Sequence, residues 1–315
     1  MISTCNSLVV GSEIILRPKG FCNLTEVVVR AEDTKKDIER KVEIATILGT
    51  FQSTVTNFRY LRKEWQRNAE EERLLGVSLT GVMDNTLMAG KDKGLPEFLE
   101  KIREQSVATN KEWAESLGIN QSAAITTQKP SGTVSQLCNT ASGIHPRFSE
   151  HYIRSVRADV KDPLATFMVD KGFPYEEDFY NKSNLVFYFP MKSPEASITA
   201  DEMTALDQLN LWEIYQDHWC EHKPSMTCYY SDDEFLAVGD WVWNKFDKIS
   251  GISFLPRVEH SYKQAPYQAV TKAEYEDFCK KMPKGVDWTE LQQYEQTDNT
   301  EGSQTLACHG GQCEL

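Results

Sequence analysis

The chain has no apolar run that approaches the roughly 20 residues a membrane-spanning helix needs; the longest are short stretches such as Leu185–Phe189. Residues 1–16 carry no basic segment ahead of their brief apolar stretch, so they do not read as a secretory signal. No basic block is present either. Lys and Arg number 34 against 47 Asp and Glu, a net charge of −13, which repels a nucleic-acid polymer unless one face is locally basic. A small anionic ligand in a local pocket remains compatible with that balance. There is no internal repeat, and no low-complexity tract before the last twenty residues. The eight cysteines, without a signal sequence, fit a reducing compartment better than a disulfide scaffold, and a cytoplasmic protein without membrane segments is the expectation.

What is present alternates between strand-like and helix-like stretches. Residues 22–33 hold a β-branched run, and 34–58 place apolar residues at helical spacing behind a Thr cap. Residues 74–84 are apolar and punctuated by glycine. Residues 95–118 form an amphipathic pattern with Pro near its start and Gly past its end. Residues 122–137 read as strand, tight loop and helix start. Further on, 184–191, 225–230 and 251–256 read as extended, and 200–222 and 231–247 as helical, the latter behind a Ser-Asp-Asp cap. Strands separated by helices predict an α/β architecture with mostly parallel pairing, whose chemistry sits in loops after the strands. Residues 296–315 have almost no large apolar side chain and read as a mobile tail.

Three places could carry chemistry. Lys129–Ser135 follows a predicted strand and opens a helical pattern, so Pro130, Ser131, Gly132 and Thr133 could present backbone amides to an anion; a plain strand-to-helix turn is the alternative. Glu13 and Cys22 lie beside short apolar runs, where an acid near a thiol can pair a proton acceptor with a redox group; a surface Glu and a buried Cys are the alternative. Cys308 and Cys313 flank Gly310 and Gly311, which lets the chain fold back to bring two thiols together. The 14 residues from Tyr294 to Cys308 could span roughly 45 Å. A metal clip with His309, or a chance pair, is the competing view. His218 and His222, one helical turn apart around Cys220, lack a second matching pair and point to a structural role. Cys138, Cys220, Cys228 and Cys279 read as small buried hydrophobes.

Together these residues resemble the C-terminal portion of the adenosylcobalamin-dependent (class II) ribonucleotide reductases, of the monomeric ribonucleoside-triphosphate reductase type. The strings that carry it are "EIILRPKGFCNLTEVVVR", "LGVSLTGVMDN", "TTQKPSGTVSQL", "GIHPRFSEHYIRSVR", "SFLPRVEHSYKQAPYQ" and the terminal "CHGGQC". The resemblance implies the second half of a ten-stranded α/β barrel over residues 12–295, followed by a redox tail over 296–315. It implies adenosylcobalamin as cofactor, a ribonucleoside triphosphate as substrate, and reduction at the 2′ position by a thiyl-radical mechanism. By the same resemblance Cys22 is one of the reducing pair and Glu13 the proton acceptor. Pro130, Ser131, Gly132 and Thr133 hold the substrate phosphates. Cys308 and Cys313 are a shuttle renewed by thioredoxin or a similar reductant.

The match breaks at its start. The family pattern Asn-Pro-Cys-x-Glu meets Val9-Val10-Gly11-Ser12-Glu13 here, so Gly11 stands where the radical cysteine belongs, and residues 1–11 form a leader without family match. Glycine has no sulfur from which a radical could form, so the chain alone is not expected to turn over. The resemblance leaves open one piece of a divided enzyme, whose N-terminal half and with it part of the cobalamin contacts come from another chain, or a fragment whose true start is lost beside an insertion. The other readings are an inactive remnant, a non-catalytic nucleotide-binding subunit, or a thiol-exchange module using Cys308 and Cys313.

Overall fold

The computed structural model describes residues 13–257, 263–295 and, as two short strands, 308–309 and 312–313. In chain order β1 (Asn23–Val28) is followed by α1 (Lys35–Gln52), α2 (Lys63–Glu72) and β2 (Leu75–Thr80). Next come α3 (Leu95–Leu117), α4 (Val134–Leu137), β3 (His151–Asp159), α5 (Pro163–Asp170), β4 (Tyr175–Glu177) and β5 (Asn184–Lys192). Then follow α6 (Ala205–His218), β6 (Met226–Tyr230), α7 (Phe235–Asn244), β7 (Ile252–Pro256) and β8 (Tyr267–Ala269). The chain closes with α8 (Lys272–Lys281), α9 (Leu291–Tyr294), β9 (Cys308–His309) and β10 (Gln312–Cys313). No helix among the described residues is long and apolar enough to cross a membrane.

The span 12–295, read from the sequence as one stretch, folds as two compact units interleaved along the chain. The first holds the described residues up to Arg147 and from Ala196 onward to Arg257; the second holds Phe148–Glu195 and the described residues beyond.

The first unit is a parallel α/β layer. β1 pairs with β2 in parallel, and β6 with β7. The segment 124–128 joins the two pairs, bridging Val77 to Thr126 and Gln128 to Pro224 in parallel. Five parallel stretches thus lie side by side in the order β1, β2, 124–128, β6, β7, with helical crossovers between them, as parallel pairing requires. β2 is interior to the layer and buried along its whole length. Leu75, Val77 and Leu79, all fully buried, pack in one core with Ile38 and Val42 of α1 and Leu95, Leu99 and Ile102 of α3. Burying each such side chain contributes about 1.5–3 kcal/mol, and this anchors the opposite face of the strand for other work.

Local signals explain the helices. Thr34 and Asp37 form a reciprocal capping box at the start of α1. Pro96 lies in the first turn of α3 and Gly118 closes it in the left-handed conformation. Ser231 and Glu234 cap a 3-10 turn that runs into α7.

The second unit is a four-stranded antiparallel sheet, β4-β5-β3-β8, with its own small core around Phe167, Phe173 and Phe187. The expectation of mostly parallel pairing therefore describes the first unit and not the second. The reason lies in β3 and β5, nine residues each and joined through α5 and β4 without a crossover, so they run antiparallel.

Candidate functional site

In β1 side chains alternate between faces. Val27 is buried in the helix-covered core, whereas Leu24 is 41% exposed and Glu26 half-buried on the other face. The register places Leu24 opposite Gly76 and Glu26 opposite Ser78. Cys22, two residues before Leu24, belongs to the same open face. Gly76 is needed there for its missing side chain. A Cβ at this position would lie 2.4 Å from Leu24 Cδ2, 3.2 Å from Ile14 Cδ1 and 3.3 Å from Cys22 Sγ. Glycine on β2 is what lets the strand carrying the thiol and the segment carrying Glu13 close over it.

Glu13 is buried at 6% exposure, and one of its carboxylate oxygens, Oε2, has no partner among the described residues. Its carbonyl accepts from Thr127 Oγ1 at 3.2 Å and from the Lys223 N–H at 3.2 Å, which fixes it to the third and fourth stretches of the parallel layer. Cys22 is a free thiol, half-buried. Burial first, and the neighbouring Glu13 charge second, push its pKa up to about 12. The sulfur is therefore held as a neutral thiol at physiological pH, a donor of hydrogen and not a standing thiolate nucleophile.

The 129–147 loop is the third part. Ser131, 1% exposed, is its hub. The Ser131 N–H donates to Ser142 Oγ at 3.0 Å, and the Ser131 hydroxyl donates to Glu26 Oε2 at 2.9 Å and accepts from the Ser135 N–H at 3.1 Å. Its carbonyl accepts from Ser142 Oγ at 2.9 Å and from Ser135 Oγ. Ser131 thus spends its polar groups on the loop and on Glu26, while Gly132 and Thr133 are exposed and their N–H groups meet no acceptor among the described residues. A Cβ on Gly132 would meet nothing within 4 Å, so the space over it is open. The helix that follows, α4, is a single turn. Attraction for an anion would come from loop amides and not from a helix dipole, which departs from the strand-loop-helix expectation.

The base of the loop is rigid. The Lys129 N–H donates to Ser78 Oγ at 3.0 Å. Gly143, at φ +54°, lies where a Cβ would meet the Lys129 carbonyl oxygen at 2.6 Å. His145 is fully enclosed: Nδ1 bonds the Ser142 carbonyl at 2.9 Å and Nε2 accepts from the Thr227 N–H at 3.0 Å. Because Nε2 accepts, the network assigns the proton to Nδ1. Burial lowers its pKa, so the ring is neutral and straps the loop to β6. Behind it the buried Asp84 accepts from Arg147 Nε and Nη2 at 2.8 Å each, from Ser197 Oγ at 2.7 Å and from the Ala141 N–H at 2.9 Å. Arg147 also donates to Asn139 Oδ1 at 3.0 Å, closing the far end of the loop.

The structure brings Glu13 and Cys22 together and ties Ser131 to the strand that follows Cys22. Pro130 is half-buried beside the hub. Of the tail, only backbone pairing is described: β9 and β10 run antiparallel with Cys308 opposite Cys313 and His309 opposite Gln312. The mobile tail predicted over 296–315 lies outside the described residues except for these two strands, as does the leader 1–11 and with it Gly11. His218 Nδ1 meets Glu100 at 2.8 Å and His222 Nε2 meets the Leu75 carbonyl at 2.8 Å, so the two histidines turn to different partners. Cys220 and Cys228 are buried, whereas Cys138 and Cys279 are half-buried, less enclosed than the sequence suggests. Sequence reasoning missed Glu26, Ser142, His145 and the Asp84–Arg147 pair. The run "GIHPRFSEHY" held His145 and Arg147 in view, but nothing local marks them as loop supports.

A thiol beside a carboxyl, on one strand with an amide-bearing loop, is the arrangement against which the comparisons fall. An adenosylcobalamin-dependent ribonucleoside-triphosphate reductase of Lactobacillus acidophilus is 25% identical over 332 residues, covering 96% of this chain and 44% of that protein. One of Euglena gracilis is 27% identical over 302 residues, covering 93% and 40%. The chain is related to the adenosylcobalamin-dependent ribonucleoside-triphosphate reductases. It spans less than half the length of these relatives. A solved B-12-dependent (class II) ribonucleotide reductase superimposes with a TM-score of 0.76 at 22% identity, over 91% of this chain and 43% of that one, which establishes the shared α/β fold. No family model matches the chain.

Proposed function

We propose that the chain is one part of an adenosylcobalamin-dependent ribonucleotide reductase that converts ribonucleoside triphosphates to 2′-deoxyribonucleotides. The observation that carries this reading is the neutral Cys22 thiol beside the buried Glu13 carboxyl, on the strand to which the Ser131 loop is bonded. The five parallel stretches support half of a ten-stranded barrel.

Each residue has a task in that chemistry. The amides of Gly132 and Thr133, framed by Pro130 and Ser131, hold the triphosphate and so fix the ribose over Cys22. Glu13 takes the proton of the 3′ hydroxyl; a carboxylate with one buried, unpartnered oxygen is placed for this. Cys22 and a partner thiol from the remaining portion give two electrons and two protons. The C2′–O bond breaks, a C2′–H bond forms, water leaves, and the two sulfurs join as a disulfide. The Cys308–Cys313 dithiol then exchanges with that disulfide, returning both thiols and becoming a disulfide itself, which thioredoxin or a similar reductant reopens.

Adenosylcobalamin, when bound, supplies the radical that begins such a reduction. The residues present do not complete a site for that role, because Gly11 stands where the resemblance puts the radical cysteine. The same glycine favours the second reading, an inactive remnant or a nucleotide-binding subunit without catalysis. Mixing the chain with a polypeptide that carries the N-terminal portion of its relatives, adenosylcobalamin, a ribonucleoside triphosphate and a thioredoxin system decides between them. Deoxyribonucleotide formation is expected; its absence with a folded partner present establishes the second reading.

A further inference from the structure

Glu26 is the acidic side chain bonded to Ser131, the hub of the loop. Its Oε2 accepts the Ser131 hydroxyl at 2.9 Å, while Oε1 is buried without a partner among the described residues. It lies four residues beyond Cys22 on the same strand face, on the order of 13 Å along the strand. The Ser131 hydroxyl is the hub's link to that strand, and Glu26 is the group that receives it. We propose that Glu26 is a positioning residue of the anion loop, fixing Ser131 to the strand that carries Cys22 and governing by its charge how well the loop accepts a triphosphate. This rests on the reading of Gly132 and Thr133 as the phosphate-holding amides.

The charges around Glu26 are few. Lys129 approaches from the loop and attracts it, Ser131 donates to it, its register partner Ser78 on β2 does not titrate, and Cys22 on its own strand is held neutral. Burial outweighs the pull of Ser131 and Lys129 and raises its pKa. An ionised Glu26 sits a residue or two from the amides that would hold phosphate, a separation at which like charges repel appreciably. A neutral Glu26 keeps the bond to Ser131 without that repulsion. Binding of a polyphosphate is therefore coupled to proton uptake by this carboxyl, and rising pH works against it.

Equilibrium dialysis of the full chain with radiolabelled ATP, from pH 5 to pH 8, tests this. Wild-type affinity is expected to fall with rising pH as the carboxyl ionises, by about tenfold between its neutral and its charged form. Glu26→Gln keeps an acceptor for Ser131 but cannot ionise, and is expected to show a shallower fall with pH than the wild type and tighter binding than wild type at pH 8. Glu26→Ala, which releases Ser131, is expected to bind weakly throughout, with a circular dichroism melt to establish that it folds. A pH profile of Glu26→Gln that parallels the wild type, or weaker binding than wild type at pH 8, overturns the proposal for Glu26 and leaves the loop reading standing. No ATP binding by the wild type at any pH removes the loop reading, and the proposal with it.

Discussion

Iodoacetamide reacts with thiolates and scarcely with thiols, so the rate at which it labels Cys22 reports the protonation of that sulfur. With a pKa of about 12 in the fold, the thiolate fraction at pH 7.5 is about 3 × 10⁻⁵. In the unfolded chain, with an ordinary value near 8.5, it is about 0.1. The same cysteine should therefore label about 3,000-fold more slowly in the folded chain than in urea, followed by mass spectrometry of its peptide. Shielding alone would also slow labelling, but the two causes separate with pH. A shielded thiol of ordinary acidity levels off above pH 8.5, whereas Cys22 should keep gaining about tenfold per pH unit through pH 10. Glu13→Gln removes the second cause and not the first, so it should speed labelling while leaving it far slower than in urea. A plateau near pH 8.5, or folded and unfolded rates within tenfold of each other, refutes the neutral-thiol assignment and with it the role of Cys22 as a hydrogen donor.

Arg147→Met leaves Asp84 buried as an uncompensated charge, and should cost about 3–5 kcal/mol, seen as a fall of roughly 10 °C in the melting midpoint; Arg147→Lys should not restore it, because the bidentate geometry is lost. Gly143→Ala places a Cβ against the Lys129 carbonyl at positive φ, so it should cost about 1–3 kcal/mol and weaken ATP binding in the same dialysis assay. The neutral His145 contributes stability that is complete above its unfolded pKa of about 6.5 and is lost as pH falls below it, since burial lowers the folded value. The melting midpoint should therefore drop between pH 7 and pH 5, and drop less in His145→Gln. Oxidation of the full chain should link Cys308 to Cys313, because directly opposed strand residues have Cα separations of about 4.5–5.5 Å, within disulfide range; a tail peptide that keeps both thiols free under mild oxidant speaks against a shuttle.

Much of the first unit was legible because its signals are local. Thr34, Pro96, Gly118 and Ser231 mark helix ends through bonds made within a few residues, and a reader of the sequence needs no tertiary information to use them. β2 was legible as apolar and glycine-punctuated, although the reason for Gly76 was not, since it lies in Leu24 and Cys22 across the register. The second unit was largely missed. Its strand β3, "HYIRSVRAD", interleaves charge with apolar residues, and its partners β5 and β8 come from about thirty and over a hundred residues away. Pairing at that distance leaves no periodic trace in either segment.

The candidate site divides along the same line. Glu13, Cys22 and the 130–133 loop could be singled out as candidates because a long string of uncommon residues carries them, whereas the groups that fix their geometry could not. Glu26 reads locally as one more polar residue in an amphipathic strand, and only the fold turns it toward Ser131. The same holds for His145, whose two ring nitrogens bond Ser142 nearby and Thr227, 82 residues further along the sequence. A chemical group can be recognised from its neighbours in sequence, but its pKa, its tautomer and its reach are set by neighbours in space. That Cys22 is a thiol and not a thiolate follows from burial and from Glu13, nine residues before it and folded back over Gly76. The reducing role assigned to that sulfur depends on this fold-dependent fact more than on the presence of cysteine at position 22.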